Sequence, residues 1–260
     1  MRCSEIIQIL EKYYPEEYAC SWDHVGIQAG RLEKEITRVF VALDVTKKVI
    51  KEAVAKDADM VITHHPLLFK PIYSINNADP RGAKLIALLQ HDICCYSAHT
   101  NYDILGMADL AAGMLGLKEM EPVEPSEVGG DPAVGIGRVG ALPFPRSLES
   151  CAELVKETFG LPSVTVYGTL LETISRAAIV PGSGRSMIDE AKAAGAQVLI
   201  TGDIGHHEGL DAMAEGLAVI DAGHYGLEKI FVSDMTRFLS RNVPDIVVFG
   251  EETAFPYHII

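Results

Sequence analysis

Two stretches of the sequence repeat one order of residues at one spacing, and this repeat constrains the fold more than any other feature. VALDVT (41–46) aligns with IVPGSG (179–184), and MVITHH (60–65) aligns with VLITGD (198–203). Both alignments need one shift along the chain, here named the repeat shift, which takes position 41 to 179 and position 60 to 198. Short apolar, β-branched runs that alternate with amphipathic segments are typical of parallel strands covered by helices. The repeat therefore predicts a pseudo-duplicated α/β fold.

The same alternation predicts the elements of both halves. A stretch rich in Glu, Pro and Gly, 121–132, has the composition of a linker or exposed loop. We therefore expect a first α/β half at 1–124 and a second at 125–260, with mostly parallel or mixed sheets and with the C-terminal strand belonging to either half. The predicted strands are 38–45, 59–63, 93–98, 134–141, 163–168, 176–181, 197–201, 217–221 and 245–249, and the predicted helices are 46–57, 80–91, 107–116, 147–159, 185–194, 206–215 and 225–240.

Charge and hydropathy narrow the classes of partner. The formal charge of −14 and the pI of about 5.0 disfavour nucleic acid, whose phosphates bind basic surfaces. The amino terminus does not resemble a signal peptide, and no apolar run approaches the roughly 20 residues that span a bilayer. We expect a cytoplasmic protein with reduced cysteines. Cys94 and Cys95 lie in an apolar run and are interpreted as core residues, with a thiolate ligand or nucleophile as the alternative.

Polar residues follow the predicted strands, where open α/β sheets bind their ligands. Two such halves facing each other would share one cleft, and we place a metal site there. His64 and His65 follow the strand DMVIT. Adjacent side chains on extended backbone point to opposite sides, so two neighbouring ions, or a bend at Pro66, would be needed for both to bind metal. The alternative is a histidine pair that caps the strand.

Two further strands end in a histidine with a carboxylate four residues later. After 93–98, His99 precedes Asp103, which could chelate one ion, bridge two, or serve as a helix cap or turn residue. After 217–221, His224 and Glu228 would share one helix face and reach the same ion, or form an exposed pair at a helix start. The shared pattern, AH-xxx-D and GH-xxx-E, favours the metal site.

Two other segments carry polar groups. LITGDIGHHEG contains Asp203 and His207, which we assign to the support of ligands or to substrate contact. PGSGR (181–185) could bind an anion through backbone amides and Arg185. It lacks the lysine of a P-loop and the full dinucleotide fingerprint, so a plain turn between a strand and a helix is favoured.

The ordered motifs WDHVGIQAG, VALDVT, DMVITHHPLLF, SAHTNYD, TGDIGHHE and DAGHYGLE resemble the YbgI-like (Nif-three-like) dinuclear metal-centre family, many members of which are named GTP cyclohydrolase 1 type 2 homologue. The resemblance runs from near residue 20 to the end and departs from the family at His24, where asparagine is common. It implies a duplicated α/β fold, a ring-shaped homohexamer and two divalent metal ions per chain. The metal ligands that it implies are His64, His65, Asp103, His224 and Glu228.

The donor types predict the chemistry. Zinc, iron or manganese suit a carboxylate-bridged pair with imidazole ligands, and such pairs usually activate water for hydrolysis. We expect a metal-dependent hydrolase of a small molecule, and the cyclohydrolase name implies a nucleotide. The alternative is a non-catalytic metal scaffold, metal chaperone or regulatory protein, and metal-free binding of a nucleotide at PGSGR ranks last. The residues expected to transfer protons are Asp203, His99 and His207.

Overall fold

The computed structural model describes residues 1–259, which contain thirteen β-strands and ten α-helices. The strands are β1 Gly26–Ala29, β2 Arg38–Ala42, β3 Met60–Thr63, β4 Cys94–Ser97, β5 Lys118–Glu121, β6 Glu124–Pro125, β7 Gly135–Ile136, β8 Arg138–Ser147, β9 Thr165–Tyr167, β10 Thr173–Ser183, β11 Val198–Gly202, β12 Ala218–Asp221 and β13 Val247–Gly250. The helices are α1 Cys3–Tyr13, α2 Lys47–Ala55, α3 Pro80–Gln90, α4 Thr100–Tyr102, α5 Ala108–Leu115, α6 Leu148–Phe159, α7 Ile188–Ala193, α8 His206–Ala214, α9 His224–Glu228 and α10 Ile230–Asn242.

The chain forms two compact units. The first contains Met1–Tyr102 and Ile230–Thr253, and the second contains Asp103–Lys229 and residues 254–259. This division differs from the expected boundary between 124 and 125. The segment that includes β5 belongs to the second unit because β5 pairs with β8, and β13 belongs to the first because it pairs with β2.

The first unit has a five-stranded sheet in the order β1-β4-β3-β2-β13. Its strands β4, β3, β2 and β13 run parallel, and β1 pairs antiparallel with β4 at the edge. Every residue of β3 and β4 is buried, which is typical of parallel strands covered on both faces. Cys94 and Cys95 are free thiols in β4 and belong to this core, as expected.

The second unit has a six-stranded sheet in the order β5-β8-β10-β11-β12-β9. Strands β10, β11 and β12 are parallel, while β5, β8 and β9 are antiparallel to their neighbours. The stretch with linker composition contains β6, which pairs with β7 in a small two-stranded sheet. The expectation of an α/β fold with mostly parallel or mixed sheets is confirmed.

The predicted repeat is visible in the strand register. Val39 pairs with Met60 in the first unit, and Ala177 pairs with Val198 in the second. The repeat shift takes Val39 to Ala177 and Met60 to Val198. The third strands, β4 and β12, pair with β3 and β11 in the same register. The two units thus share a three-stranded parallel core with an antiparallel strand beside its third member.

Several helices differ from their predicted bounds. The predicted helix 225–240 is two helices, α9 and α10, and the division between the units falls between them. Helix α1 is absent from the predicted elements, although its buried residues follow helical spacing. Helix α2 begins at Lys47, one residue after its predicted start, and Thr46 caps it, since its side chain accepts a hydrogen bond from the N–H of Val49 at 3.0 Å. Within residues 1–259, every helix is too short or too polar to cross a bilayer.

Candidate metal centre

Three histidines meet at the carboxyl ends of β3 and β4 in the first unit. His64 and His65 directly follow β3, and His99 follows Ala98, whose N–H donates to the carbonyl oxygen of Thr63 at 2.9 Å. One ring nitrogen of each histidine lies within 4.8 Å of the others. The ring centroids are 5.0, 5.1 and 5.5 Å apart. His99, predicted to transfer protons, therefore lies beside two predicted ligands and could itself bind a metal ion.

Each of these imidazoles has its Nδ1 atom close to an oxygen atom, in a hydrogen bond for His64 and His65 and in an ion-pair contact for His99. The distances are all 2.9 Å, from His64 to the carbonyl oxygen of Ala98, from His65 to Oδ1 of Asp44, and from His99 to Oδ2 of Asp23. An oxygen that accepts from Nδ1 fixes the proton of a neutral imidazole there and leaves the lone pair on Nε2. This arrangement is the one that orients histidine ligands in metal sites.

Asp23 holds His99 from a fully buried position. Its Oδ2 atom also accepts hydrogen bonds from the backbone N–H and the hydroxyl of Thr100, at 3.1 and 2.6 Å. Burial raises the pKa of Asp23, but the hydrogen bonds and charge of His99 and the hydrogen bonds of Thr100 outweigh it and lower the pKa to about 2. Asp23 is therefore ionised at neutral pH. The motif WDH contains this residue, but the sequence does not show which histidine it meets.

The second unit brings together one imidazole and three carboxylates. On α9, the four-residue spacing places His224 Nε2 2.9 Å from Oε2 of Glu228. His224 Nδ1 lies 2.8 Å from Oδ2 of Asp203. A carboxylate oxygen of Asp103 lies within 4.8 Å of one of Glu228. Four of the predicted site residues are therefore neighbours within this unit.

These carboxylates change the protonation of His224. Burial lowers the pKa of the imidazole, but the hydrogen bonds and charges of Glu228 and Asp203 outweigh it and raise the pKa to about 9. In the metal-free protein the ring is an imidazolium at pH 7, hydrogen-bonded to Asp203 through Nδ1 and ion-paired with Glu228 through Nε2. A metal ion would have to displace the proton on Nε2, because only the neutral imidazole is a ligand.

Two glycines leave room for the predicted ligands of the second unit. Gly182 has a φ of +82°, and a Cβ atom there would lie 2.3 Å from Oε1 of Glu228. A Cβ atom on Gly202 would lie 2.4 Å from the backbone nitrogen of His224. Gly182 belongs to PGSGR, and β10 extends through Ser183 into this segment. The favoured interpretation, a turn between a strand and a helix, agrees with this geometry.

Asp203 has a φ of +59°, in the left-handed region that residues other than glycine rarely adopt. Aspartate is among the few residues that tolerate it. Strained backbone of this kind is concentrated at functional sites, where the surrounding structure maintains it. Here the conformation accompanies the contact between the Asp203 carboxylate and His224.

Within its unit, His207 makes no contact with the other predicted site residues. It lies in the first turn of α8 and is exposed, and its ring packs against His206 with the centroids 5.2 Å apart. Its predicted role in proton transfer remains a prediction. Asp44, which holds His65, has no role in the sequence analysis, although the aligned motif VALDVT contains it.

Known proteins resemble this chain over nearly its whole length. A family model described as Duf34/NIF3 (NGG1p interacting factor 3) matches residues 1–255. A Streptococcus pneumoniae protein named GTP cyclohydrolase 1 type 2 homolog is 39% identical over 247 residues, which cover 93% of this chain and 91% of that protein. A Clostridium perfringens protein of the same name is 38% identical over 264 aligned positions, which cover 100% of both.

The fold has a counterpart among solved structures. The Staphylococcus aureus hypothetical protein SA1388 superposes with a TM-score of 0.92 and is 29% identical, and the match covers 100% of this chain and 99% of that one. The similarity therefore extends over both units of this chain.

Proposed function

Since this chain belongs to the Duf34/NIF3 family, which it matches over residues 1–255, we propose that it binds two divalent metal ions and hydrolyses a small molecule with them. The way the histidines are held supports this proposal most. In both units an imidazole Nδ1 lies 2.8 or 2.9 Å from an oxygen acceptor, which presets Nε2 as the ligand atom. A histidine that only capped a strand would not need this common orientation.

The proposed ligands are the five that the sequence predicts. Imidazole nitrogens and carboxylate oxygens fit zinc, iron or manganese. The three imidazoles would be terminal ligands, and the two carboxylates would bridge or chelate the ions. The proposal requires that the ligands of the first unit and those of the second unit serve the same ions. The ligands are His64, His65, Asp103, His224 and Glu228.

The remaining polar residues would support the reaction. A bound ion pair would supply Lewis-acid activation of water. Asp203 orients His224 through a hydrogen bond at Nδ1, and Asp23 lies against Nδ1 of His99 in an ion-pair contact. His99 lies beside His64 and His65 and would transfer a proton or add a further ligand. The other candidates for proton transfer are Asp203 and His207.

The relatives direct the choice of substrate. Proteins named GTP cyclohydrolase 1 type 2 homolog make a nucleotide one class to test, since opening a purine ring is a hydrolysis. We further propose a cytoplasmic homo-oligomer, a hexamer as the family resemblance implies, that does not act on nucleic acid polymers or membranes.

Elemental analysis of the protein purified without added metal tests the proposal first. We expect two ions per chain, and a screen over nucleotides, phosphoesters and cyclic amides to find turnover that a chelator abolishes. Glu228→Gln changes a proposed metal ligand. It should therefore weaken metal binding by more than the roughly 10–100-fold that is expected when a residue that only orients a ligand is lost. Glu153→Gln is the matched control, since among residues 1–259 Glu153 pairs only with Lys156, at 3.0 Å on the surface of α6.

The same variants separate catalysis from a structural role. If the wild-type protein binds metal but Glu228→Gln loses assembly or stability and no substrate is turned over, the metals organise a scaffold. If the wild-type protein takes up no divalent metal after loading with zinc, iron and manganese in turn, the proposal is wrong.

A further inference from the structure

The first unit contains a cavity of about 350 Å³ beside His65. Its walls come from the loop between β2 and α2, the start of α2, the residues that follow β3, and the start of α3. Apolar contacts from Val45, Pro66 and Leu67 line part of it. The lining residues that carry or can carry charge are Asp44, Lys47, His65 and Lys84.

Lys84 is the half-buried cation of this cavity. Among residues 1–259 it makes no ion pair within 4 Å and no side-chain hydrogen bond. The other half-buried lysines do, since Lys34 and Lys156 pair with carboxylates and Lys229 donates to the carbonyl oxygen of Gly160. Burial lowers the pKa of Lys84, and the charge of Asp44 partly opposes this. A partly desolvated ammonium without a contacting anion is unfavourable, so an anion that entered the cavity would recover interaction energy.

The other charges do not cancel that of Lys84. Lys47 adds a second positive charge from the first turn of α2, whose helix dipole has the same sign there. Asp44 has its Oδ1 atom 2.9 Å from Nδ1 of His65, and it acts on Lys84 through its charge without a contact within 4 Å. A cavity with two lysines and one carboxylate is unusual in a chain whose formal charge is −14.

We propose that this cavity binds a phosphate or carboxylate group of the substrate, with Lys84 as the principal contact and Lys47 as the second. The inference rests on the proposed function, because the cavity is next to the reaction only if His65 is a metal ligand. A molecule held there by its anionic end would present the rest of its structure to His65. The substrate would then be a small anion, and neutral cyclic amides would be poor substrates.

Titration calorimetry with inorganic phosphate tests the site in the full-length protein, both as purified and after removal of metal with a chelator. The ionic strength is kept constant, because screening alone weakens contacts between surface charges. We expect saturable binding in both forms, which Lys84→Met weakens by about tenfold or more and Lys84→Arg largely retains. Lys48→Met is the matched control, since Lys48 lies outside the cavity with its Nζ atom 3.7 Å from Glu52 on α2.

The outcomes distinguish this inference from the proposed function. If metal-free wild-type protein shows no saturable phosphate binding, or if a folded Lys84→Met variant binds phosphate as the wild type does, the anion site is wrong whatever the metal content. If phosphate binding depends on Lys84 but the protein takes up no metal, the hydrolase is wrong and the anion site stands. Thermal unfolding of each variant shows that a loss of binding is not a loss of fold.

Discussion

In the first unit β3 is followed by His64 and His65, whereas in the second unit the equivalent strand β11 ends in Gly202 and continues into Asp203. The first pair supplies two imidazoles, and the second supplies space and one carboxylate. The same exchange occurs one strand earlier, where the repeat shift relates Asp44 to Gly182. Duplication has therefore preserved the backbone but not the chemistry at the strand ends.

The difference has a steric cause. The second unit carries its donors on the segment after its third strand, and those donors occupy the volume that side chains at the two glycines would need. Gly182 makes room for the Glu228 carboxylate, and Gly202 makes room for the backbone of His224. As a result the first unit offers imidazole donors, while the second offers carboxylates and the imidazole of His224. The negative charge that would balance divalent cations resides in the second unit.

We expect the largest effect from adding a side chain at Gly202, because the repeat shift relates this position to His64 of the first unit. Gly202→Ala should destabilise the protein by about 3 kcal/mol, because the new Cβ atom would lie 2.4 Å from the backbone nitrogen of His224. Metal affinity should fall with it, as His224 is displaced. Gly113→Ala in α5 is the control, since a Cβ atom there meets nothing within 4 Å and should stabilise the helix by about 0.5–1 kcal/mol. Equal unfolding free energies for the two variants would contradict the steric explanation.

The carboxylates that hold imidazoles provide the next comparison. Asp203→Asn and Asp44→Asn should each weaken metal binding by about 10–100-fold, because the oxygen acceptor at Nδ1 of His224 and of His65 would lose its negative charge. Asparagine tolerates the left-handed backbone at 203, so the substitution tests the charge and not the strain. Metal affinity measured by competition with a chelator gives the result. A loss at only one of the two positions would show that the other carboxylate serves packing alone.

Sequence alone predicts the parallel strands well because their residues are apolar almost without interruption, as in β3 and β11. It predicts the repeat shift for the same reason. It misses the antiparallel strands β1 and β5, which are less apolar and more exposed. It fails for contacts between distant segments, such as Asp23 with His99, because nothing local relates them. The sequence motifs also match His99 to His224. In the structure, however, Ala98 is equivalent to Ala222, because the N–H of each donates to the carbonyl oxygen of the threonine in the preceding strand. The two histidine motifs are therefore displaced by one position in the folded chain.

The two units should also respond to pH in opposite directions in the metal-free protein. The pKa of Asp23 lies below its ordinary 3.8, at about 2, so its stabilisation of about 2 kcal/mol is present above pH 4 and is lost as the pH falls toward 2. The pKa of His224 lies above its ordinary 6.5, at about 9, so its contribution is complete below pH 6.5 and is lost as the pH rises to 9. Solvent screening makes this second effect the smaller one, because the His224 side chain is 34% exposed.

Urea denaturation across this pH range measures both effects. Asp23→Asn should flatten the acid side of the stability curve, and Glu228→Gln should flatten the alkaline side. If Glu228→Gln leaves the alkaline side unchanged, the raised pKa of His224 does not stabilise the fold.

The smallest expected effect concerns the helix that follows the first parallel strand in each unit. Thr46 caps α2 by accepting from the N–H of Val49, so Thr46→Ala should cost about 1 kcal/mol and Thr46→Gly only a few tenths. The repeat shift places Gly184 at the equivalent position, where a Cβ atom would lie 2.2 Å from the hydroxyl oxygen of Thr201. Gly184→Ser should therefore gain no cap and should lower the thermal stability. A rise in the melting temperature of Gly184→Ser would show that packing at the strand ends of the second unit does not require glycine.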